Sequence, residues 1–596
     1  MVGATRRPQD RRQSRSPISI ALMANGRAFL ALGLVSGIIN ILMLTGAVFM
    51  IQIYDRVLTS NSLPTLIALS AMAVAAYVLQ GGLDAIRARV LTLIGERIDA
   101  RIGPNLYTAV VDLPLRSARS GHETLQPFRD LEAVRSFMSG PGPIAFFDMP
   151  WLPVYLMICY LFHPLLGYAA TVAAILLLFI TALTDLRGSG PTRRALEAQS
   201  RRNLLADTGQ RGAEVIRAMG MMPALTERWR EVHIQHLTAQ RHASFIMGGL
   251  SSLARMSRMV VQSCMLGLGA YLAIKGEISG GTIIAVSILA SRALAPVDQA
   301  IASWRGFVAA RQGCGRLRQL LLNSGDDPGA FEFPPPRQSL ATEALFVGAP
   351  GASKPIIRNI GFQLEAGQCL GIVGASASGK STLARALVGV WTPLSGKVTL
   401  DGADIRHWTV SRLGPHIGYL PQDIQLFDGS IADNIARFQH PLDSQAVLAA
   451  AIAAGFHEQI LALQNGFETR IGLGGGIDLS AGQKQRLGLA RALYGDPFLV
   501  VLDEPNSNLD AEGERALKAA ITGVGTRGGI AVVIAHRTSI IAAVNLVAVM
   551  RGGEITAVGP REEILARPVS LVGATPGRNA AIVERLRTVE PGDPKI

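Results

Sequence analysis

"GASASGKST", Gly374 to Thr382, decides the fold of the second half of this 596-residue chain. The stretch fits the pattern GxxxxGK[ST] and stands between an apolar strand, "CLGIV", and a helical stretch, "STLARALVGV". That context makes the pattern a phosphate-binding loop, because its glycines let the backbone wrap around phosphate groups. We predict that Lys380 reaches the β- and γ-phosphates of ATP and that Ser381 binds Mg²⁺. The alternative is an ordinary glycine-rich turn.

A second apolar strand, in "FLVVLDEP", ends in two adjacent carboxylates. Asp503 at the strand end is placed to hold Mg²⁺, and Glu504 is placed to polarise the attacking water as a general base. His536 follows a further apolar strand, "GIAVVIAH", where it could hydrogen-bond the γ-phosphate. The alternatives are a polar loop start for the two acids and a structural role for the lone histidine.

"DLSAGQKQRLGLARAL", Asp478 to Leu493, predicts a second phosphate cradle. Small residues and a glycine open an amphipathic helix there, which leaves backbone N–H groups and the positive end of the helix dipole free for an anion. Ser480 and Gly482 at this helix start can donate hydrogen bonds to a γ-phosphate. One chain therefore carries two cradles.

The region around these motifs alternates short Val/Ile/Leu runs with helical stretches, which is typical of buried parallel strands in an α/β domain. The first half of the chain differs. Mean hydropathy over the whole sequence is +0.31 and only 17% of residues are charged, so part of the chain belongs in a bilayer. The four cysteines are far apart and form no metal-binding or disulfide pattern.

Six apolar runs are long enough to cross a bilayer. We predict spans at 28–51, 63–82, 144–162, 165–183, 256–274 and 278–296. The segments after the second and fourth spans are rich in arginine, with ten arginines between residues 186 and 241, whereas the short connections hold almost none. The positive-inside rule therefore places the long segments and both termini in the cytoplasm. This assignment accounts for the net charge of +13, and a nucleic-acid partner loses its main support.

Helical periodicity continues beyond the spans, so we expect the span helices to extend into the cytoplasm. Four ionisable residues fall inside the third, fifth and sixth spans or directly before one of them: Asp148, Arg255, Arg258 and Arg292. Such residues are costly in hydrocarbon and are expected to face a protein interior or a water-filled path. The alternative is that they lie near the cytoplasmic edge. Pro150 and Pro153 are expected to bend the third span.

The phosphate-binding loop, "LSAGQ" and "VVLDEP" together resemble the ATPase of ABC transporters, and the resemblance covers the whole chain. It implies an all-α bundle of six transmembrane spans, of the ABC exporter type, followed by an α/β P-loop NTPase domain. It also implies that the signature of one copy, the stretch "LSAGQ", completes the ATP site of a second copy in a C2 homodimer. Gln422 in "YLPQD" is similar to the glutamine that contacts Mg²⁺ and water, and Asp510 in "SNLD" is similar to the aspartate that faces the partner.

Together these observations predict three sets of site residues. The catalytic set is Glu504, His536 and Gln422. The Mg²⁺ set is Ser381, Gln422 and Asp503. The ATP-contacting set is Gly374, Ala375, Ser376, Ala377, Ser378, Gly379, Lys380, Ser381, Thr382, Ser480, Gly482, Gln483 and Asp510. The sequence departs from the family in two ways. Ala481 replaces a glycine, a change expected to keep the turn. The aromatic residue that commonly stacks on adenine upstream of the loop has no clear counterpart, and Phe346 is the only candidate.

"FDMPWLPVYL", "PHIGYLPQDIQLFDGSIADNIARF" and "DEPNSNLD" narrow the resemblance to type I secretion transporters of the alkaline-protease and S-layer exporter type. The resemblance implies a multi-pass protein of the bacterial inner membrane that joins a periplasmic membrane-fusion adaptor and an outer-membrane channel. It also implies export of unfolded polypeptide, typically carrying an uncleaved C-terminal signal. About 27 residues precede the first span, too few for the peptidase domain of leader-cleaving exporters.

The predicted organisation is a basic cytoplasmic tail at 1–27, a membrane domain at 28–320, a linker at 321–340, a nucleotide-binding domain at 341–570 and a C-terminal tail at 571–596. The main alternative function is an exporter of lipids or small amphiphiles with the same ATPase. A non-transporting ATPase or a nucleotide-gated channel is the alternative from another class.

Overall fold

The computed structural model describes residues 26–116, 126–323, 333–472, 476–535 and 538–566. The chain divides into two compact units that separate between residues 325 and 326, with the described residues 113–116 grouped with the second unit. Most of the predicted N-terminal tail, all of the predicted C-terminal tail, part of the predicted linker and His536 lie outside the described residues.

The described residues of the first unit form helices joined by short turns, with no strand among them. Six of its helical segments are long and apolar enough to span a membrane, which confirms the six predicted spans. The helices are α1 Gly26–Leu42, α2 Thr45–Gln52, α3 Leu58–Ser60, α4 Leu63–Arg116, α5 Gln126–Ser139, α6 Gly142–Asp148, α7 Leu152–Phe162, α8 Pro164–Arg211, α9 Ala213–Ala218, α10 Met222–Ile274, α11 Gly280–Ala302 and α12 Trp304–Asn323. Helices suit a bilayer because they satisfy their own backbone hydrogen bonds.

Three of these helices run far beyond the length of a bilayer span. Helices α4, α8 and α10 contain 54, 48 and 53 residues, against roughly 20 residues for a span. The prediction that the second, fourth and fifth span helices continue past their apolar runs is confirmed, even though α8 contains Pro191.

The first and third spans are interrupted. A single 3₁₀ turn, Met149–Trp151, separates α6 from α7 and contains Pro150, and Pro153 stands in the first turn of α7. Proline removes a backbone donor and disrupts regular helix, so the predicted irregularity lies where expected. The first span contains a π-helical turn at Ile53–Val57, between α2 and α3. No proline or glycine in the sequence marks that turn.

Two of the four ionisable residues in the spans have partners of opposite charge. Asp148 is buried and accepts hydrogen bonds from Arg87 Nη1 at 3.1 Å and Asn40 Nδ2 at 2.8 Å. Arg258 Nη1 pairs with Asp298 Oδ2 at 2.8 Å. Arg255 and Arg292 are exposed in the single chain. A role for these residues in lining a path stays a prediction.

The second unit combines three β-sheets with helices. Its strands are β1 Ser339–Gly348, β2 Pro355–Glu365, β3 Cys369–Gly374, β4 Ser395–Leu400, β5 Ala403–Asp404, β6 Ile417–Leu420, β7 Gly429–Ser430, β8 Arg470–Ile471, β9 Leu499–Asp503, β10 Ile530–Ile534, β11 Leu546–Arg551 and β12 Glu554–Pro560. Its helices are α13 Lys380–Leu387, α14 Val410–Leu413, α15 Ile431–Ile435, α16 Ser444–Ala453, α17 His457–Leu461, α18 Ala481–Leu493, α19 Ala511–Thr526, α20 Thr538–Ile541 and α21 Arg561–Ala566.

The largest sheet has the order β12-β11-β3-β10-β9-β6, in which all neighbours except β12 and β11 are parallel. Every residue of β9 and β10 is buried, which confirms the predicted buried parallel strands. A four-stranded antiparallel sheet, β2-β1-β4-β5, shares a hydrophobic core with one face of the large sheet. Residues of β3 and β9 flank β10 at Ile534, so the carboxyl ends of these strands meet at one edge.

Candidate functional site

The phosphate-binding loop connects β3 to α13 at the edge where the parallel strands end. Its first glycine, Gly374, has no room for a side chain, because a Cβ there would lie 2.2 Å from the carbonyl oxygen of Met550 in β11. Gly379 adopts φ +96°, a conformation that favours glycine. The loop can therefore pass close to β11 and turn sharply into the helix, so that the first backbone N–H groups of α13 face an anion.

The predicted phosphate-binding lysine lies at the mouth of this loop. Lys380 Nζ donates to the carbonyl oxygens of Gly374 at 3.0 Å and Ala375 at 2.8 Å. Burial lowers the pKa of the Lys380 ammonium, and the carboxylates of Glu504 and Asp503 oppose that shift. The Lys380 ammonium is thus hydrogen-bonded to the loop and electrostatically attracted by the two predicted acids.

Asp503 closes β9 and is almost completely buried, with 1% of its surface exposed. Both of its carboxylate oxygens lie buried without a partner at ordinary hydrogen-bond geometry among the described residues, although the Ser381 hydroxyl is close enough to act on them. Burial raises the pKa of this carboxyl, and the charge of Glu504 raises it further, while Ser381 and the cations of Arg385 and Lys380 lower it. A buried carboxylate with unused oxygens beside a serine hydroxyl is the oxygen donor set that Mg²⁺ takes in nucleotide sites, so the residues fit the ion.

Glu504 and Gln422 are brought together although 82 residues separate them. Gln422 Nε2 donates to Glu504 Oε2 at 3.1 Å. The backbone of Glu504 is left-handed, with φ +51°, and its N–H donates to the carbonyl oxygen of Ile534 in β10 at 3.0 Å. Non-glycine residues rarely adopt this conformation, and when they do they cluster at functional sites.

The second phosphate cradle lies at the start of α18. Ser480 is the N-cap: its hydroxyl accepts from the N–H of Gln483 at 3.3 Å, and the Gln483 side chain accepts from the N–H of Ser480 at 2.9 Å. This capping box leaves the serine hydroxyl hydrogen free to donate to another acceptor. Ala481 is the first residue of the helix, so the turn is kept without the second glycine.

Asp510 caps the following helix. Its Oδ1 accepts from the N–H of Gly513 at 2.8 Å and from Arg486 Nη2 at 2.5 Å. The hydrogen bond from Gly513 lowers the pKa of this carboxyl, and the Arg486 cation contributes. The aspartate is therefore a fixed anion on an exposed turn.

The predicted residues thus form two groups. The first group meets at the carboxyl edge of the large sheet and contains residues 374–382, Gln422, Asp503 and Glu504. The second group lies at two helix starts: the start of α18 holds Ser480, Gly482 and Gln483, and α19 is preceded by Asp510. Among the residues that the structure describes, no hydrogen bond joins the start of α18 to the phosphate-binding loop. Phe346 is half-buried in β1.

Sequence reasoning missed three residues near these groups. Gln485 and Arg486 are each 3% exposed and bind the segment that follows β9. The signal available in the sequence was that these two polar residues stand directly after "LSAGQK", within the helix that this motif opens. Ile356 is an exposed apolar residue whose Cγ2 lies 3.6 Å from where a Cβ on Gly379 would stand. No sequence signal singled it out.

Comparison with known proteins gives matches in both halves of the chain. Residues 357–507 match the family described as ABC transporter, and residues 29–297 match the ABC transporter transmembrane region. The chain is 48% identical over 540 residues to the "Type I secretion system ATP-binding protein PrsD" of Rhizobium meliloti (strain 1021), with 91% of this chain and 92% of that protein covered.

More distant relatives match over similar lengths. The chain is 29% identical over 570 residues to the "Alpha-hemolysin translocation ATP-binding protein HlyB" of Escherichia coli, covering 92% of this chain and 78% of that protein. Among solved structures, a bacterial Atm1-family ABC exporter with ATP bound superposes with a TM-score of 0.81, at 22% identity, covering 96% of this chain and 99% of the other. This last likeness concerns the fold alone.

Proposed function

Because this chain belongs to the ABC transporters of type I secretion systems, we propose that it exports unfolded polypeptide from the bacterial cytoplasm through the inner membrane. It is an ATP-hydrolysing, multi-pass membrane transporter. The polypeptide cargo with an uncleaved C-terminal signal, the inner-membrane location and the partners named below are proposals that rest on the resemblance to type I secretion transporters.

ATP binds between β3 and α13 in this proposal. Lys380 and the backbone N–H groups of residues 374–382 bind the β- and γ-phosphates, and the buried cation offsets their charge. Ser381, Asp503 and Gln422 would hold Mg²⁺, which supplies charge neutralisation on the phosphate oxygens. Ile356 offers an apolar surface for the base beside the loop, and Phe346 remains the aromatic alternative.

Hydrolysis then depends on Glu504. Its carboxylate accepts a proton from the attacking water, and the hydrogen bond from Gln422 orients it. His536 is proposed to donate to the γ-phosphate. The backbone of Glu504 is fixed by β10, so the base stays in place while water approaches.

The proposed working form is a homodimer. Ser480, Gly482 and Gln483 of one copy donate to the γ-phosphate held by Lys380 of the other, and Asp510 faces the partner. The uncommitted serine proton at the start of α18 supports this arrangement, since that donor has no acceptor among the hydrogen bonds of its own turn. A periplasmic membrane-fusion adaptor and an outer-membrane channel complete the proposed route, and no nucleic acid takes part.

The contact between Gln422 and Glu504 carries the proposal, because it joins the proposed base to the residue predicted to contact Mg²⁺ and water. The test uses the full chain purified in detergent, with Glu504→Gln and, as a control, the first-turn substitution Glu512→Gln in α19. We expect Glu504→Gln to bind ATP normally and to lose hydrolysis by about 100-fold or more, with Glu512→Gln near normal.

A second measurement separates the cargo classes. The ATPase in liposomes is titrated with a peptide from the C-terminus of a candidate secreted protein and, separately, with added lipid. Stimulation by the peptide supports polypeptide export. Stimulation by lipid alone would favour the lipid or amphiphile exporter, and normal turnover of Glu504→Gln would contradict the assigned base.

A further inference from the structure

The buried amide of Gln485 connects the signature helix α18 to the turn that carries the proposed general base. Gln485 Nε2 donates to the carbonyl oxygen of Pro505 at 2.7 Å and to that of Glu504 at 3.3 Å. Its Oε1 accepts from Ser507 Oγ at 3.3 Å and from Asn508 Nδ2 at 3.4 Å. Both ends of one amide are thus committed to the residues that follow β9.

The turn that this amide holds is strained. Glu504 lies in the left-handed region at φ +51°, and such a conformation persists only when surrounding contacts over-determine it. The N–H of Glu504 is bonded to β10 on one side, and Gln485 binds the two following carbonyl oxygens on the other. If the second set of bonds is removed, the left-handed backbone of Glu504 loses contacts that hold it, and the carboxylate shifts with the relaxing turn.

The next residue of α18 holds the far end of the same segment. Arg486 Nη2 bonds Asp510 Oδ1 at 2.5 Å, and the guanidinium is 3% exposed. Residues 504–510 are therefore fastened at both ends by two adjacent, buried side chains of one helix. The start of the same helix also lies against this segment, because a Cβ on Gly482 would stand 3.0 Å from the carbonyl oxygen of Asn508.

We propose that Gln485 is a positioning residue for Glu504, through which phosphate bound by Ser480 at the start of α18 aligns the general base of the same chain. The inference rests on the proposed function, in which that phosphate belongs to the ATP of the partner copy. Binding at one site then prepares hydrolysis at the other, because a shift of α18 moves the carbonyl oxygens that fix the Glu504 turn.

The experiment uses the full chain in liposomes and measures kcat, KM, the Hill coefficient for ATP and nucleotide affinity. Gln485→Leu removes every hydrogen bond of the amide at similar volume, and Gln485→Glu removes the donor while keeping an acceptor. Gln368→Leu is the matched control, since that glutamine accepts from the N–H of Glu365 at 2.9 Å in the turn before β3, at the opposite end of the sheet.

We expect both Gln485 variants to lower kcat by about 10- to 100-fold with ATP affinity nearly unchanged, because a displaced base loses rate rather than binding. The Hill coefficient should fall toward one. Gln368→Leu should keep kcat within about twofold. On the Glu504→Gln background, Gln485→Leu should change the residual rate by less than about twofold, because residues that act as a unit are not additive.

Two results would overturn the inference: a kcat of both variants within about twofold of wild type, or an equal fold-loss on the wild-type and Glu504→Gln backgrounds, which indicates a structural role. If Gln485→Leu does not fold, Gln485→Glu decides. A failure of the proposed function can be told apart from a failure of this inference. In the first case, wild type and Glu504→Gln hydrolyse ATP at equal rates even when Gln485 is unchanged.

Discussion

The substitution Asp503→Asn should stabilise the chain without nucleotide and destabilise it, relative to wild type, with Mg²⁺ and ATP. Asp503 is 1% exposed, and within the part of the chain that the structure describes its buried carboxylate oxygens have no partner at ordinary hydrogen-bond geometry, with the Ser381 hydroxyl the one neutral donor that acts on them. Burying a charge in this way is unfavourable unless the charge is paired, whereas a neutral amide of the same shape loses less on desolvation. The aspartate is kept for its function at the expense of stability.

The size of the effect follows from the surroundings. A buried charge that has lost its partner destabilises a protein by about 3–5 kcal/mol. The Ser381 hydroxyl and the cations of Arg385 and Lys380 favour the charged carboxylate and offset part of this penalty, so we expect a gain of about 1–2 kcal/mol for the amide. In a unit of this size that corresponds to a rise in Tm of roughly 2–8 °C. When Mg²⁺ and ATP are present at a hundred times their Kd, binding stabilises the wild type by about 2.7 kcal/mol. The variant does not gain this stabilisation.

The assay is thermal unfolding of the purified chain in detergent, with EDTA and then with Mg²⁺ and ATP. The order of the two melting temperatures should reverse between these conditions. Glu504→Gln is the control, because Glu504 is half-buried and bonded to Gln422 and should shift little in EDTA. A lower Tm for Asp503→Asn than for wild type in EDTA would refute the reasoning.

Further predictions concern the loop, the cap and the membrane unit. Gly374→Ala places a Cβ 2.2 Å from a backbone oxygen of β11, so it should cost about 1–3 kcal/mol and abolish ATP binding, as measured by Tm and nucleotide titration. Ser480→Ala removes the N-cap of α18 and should cost about 1 kcal/mol in the chain without nucleotide, as measured by thermal unfolding. Asp148→Ala leaves the buried Arg87 without this partner and should cost about 3 kcal/mol in a detergent melt, whereas Asp148→Asn should cost less.

Much of the fold could be predicted because its signals are local. The six spans follow from apolar length, and the long extensions of α4, α8 and α10 follow from periodicity that no strong signal interrupts. The buried strands β9 and β10 follow from continuous Val/Ile/Leu runs. The resemblance to type I secretion transporters could also be recognised from the sequence, because its motifs are short and local. The relatives confirm it.

The rest depends on residues that are distant in sequence. Nothing near Asp148 indicates that Arg87, 61 residues earlier on another helix, is its partner. The π-helical turn at Ile53–Val57 has no proline or glycine to mark it. The left-handed backbone of Glu504 and the amide of Gln485 depend on how α18 packs under the loop after β9, which motif spacing does not encode.

The continuity of α4 has a mechanical consequence. A helix of 54 residues is about 80 Å long, and a bilayer occupies about 30 Å of it, so about 50 Å is left as a rigid lever. A tilt of about 5° within the membrane moves the tip of such a lever by roughly 4 Å, about the rise of one strand residue. Small angular changes among the spans therefore become displacements of atomic size at a distance, without any helix bending.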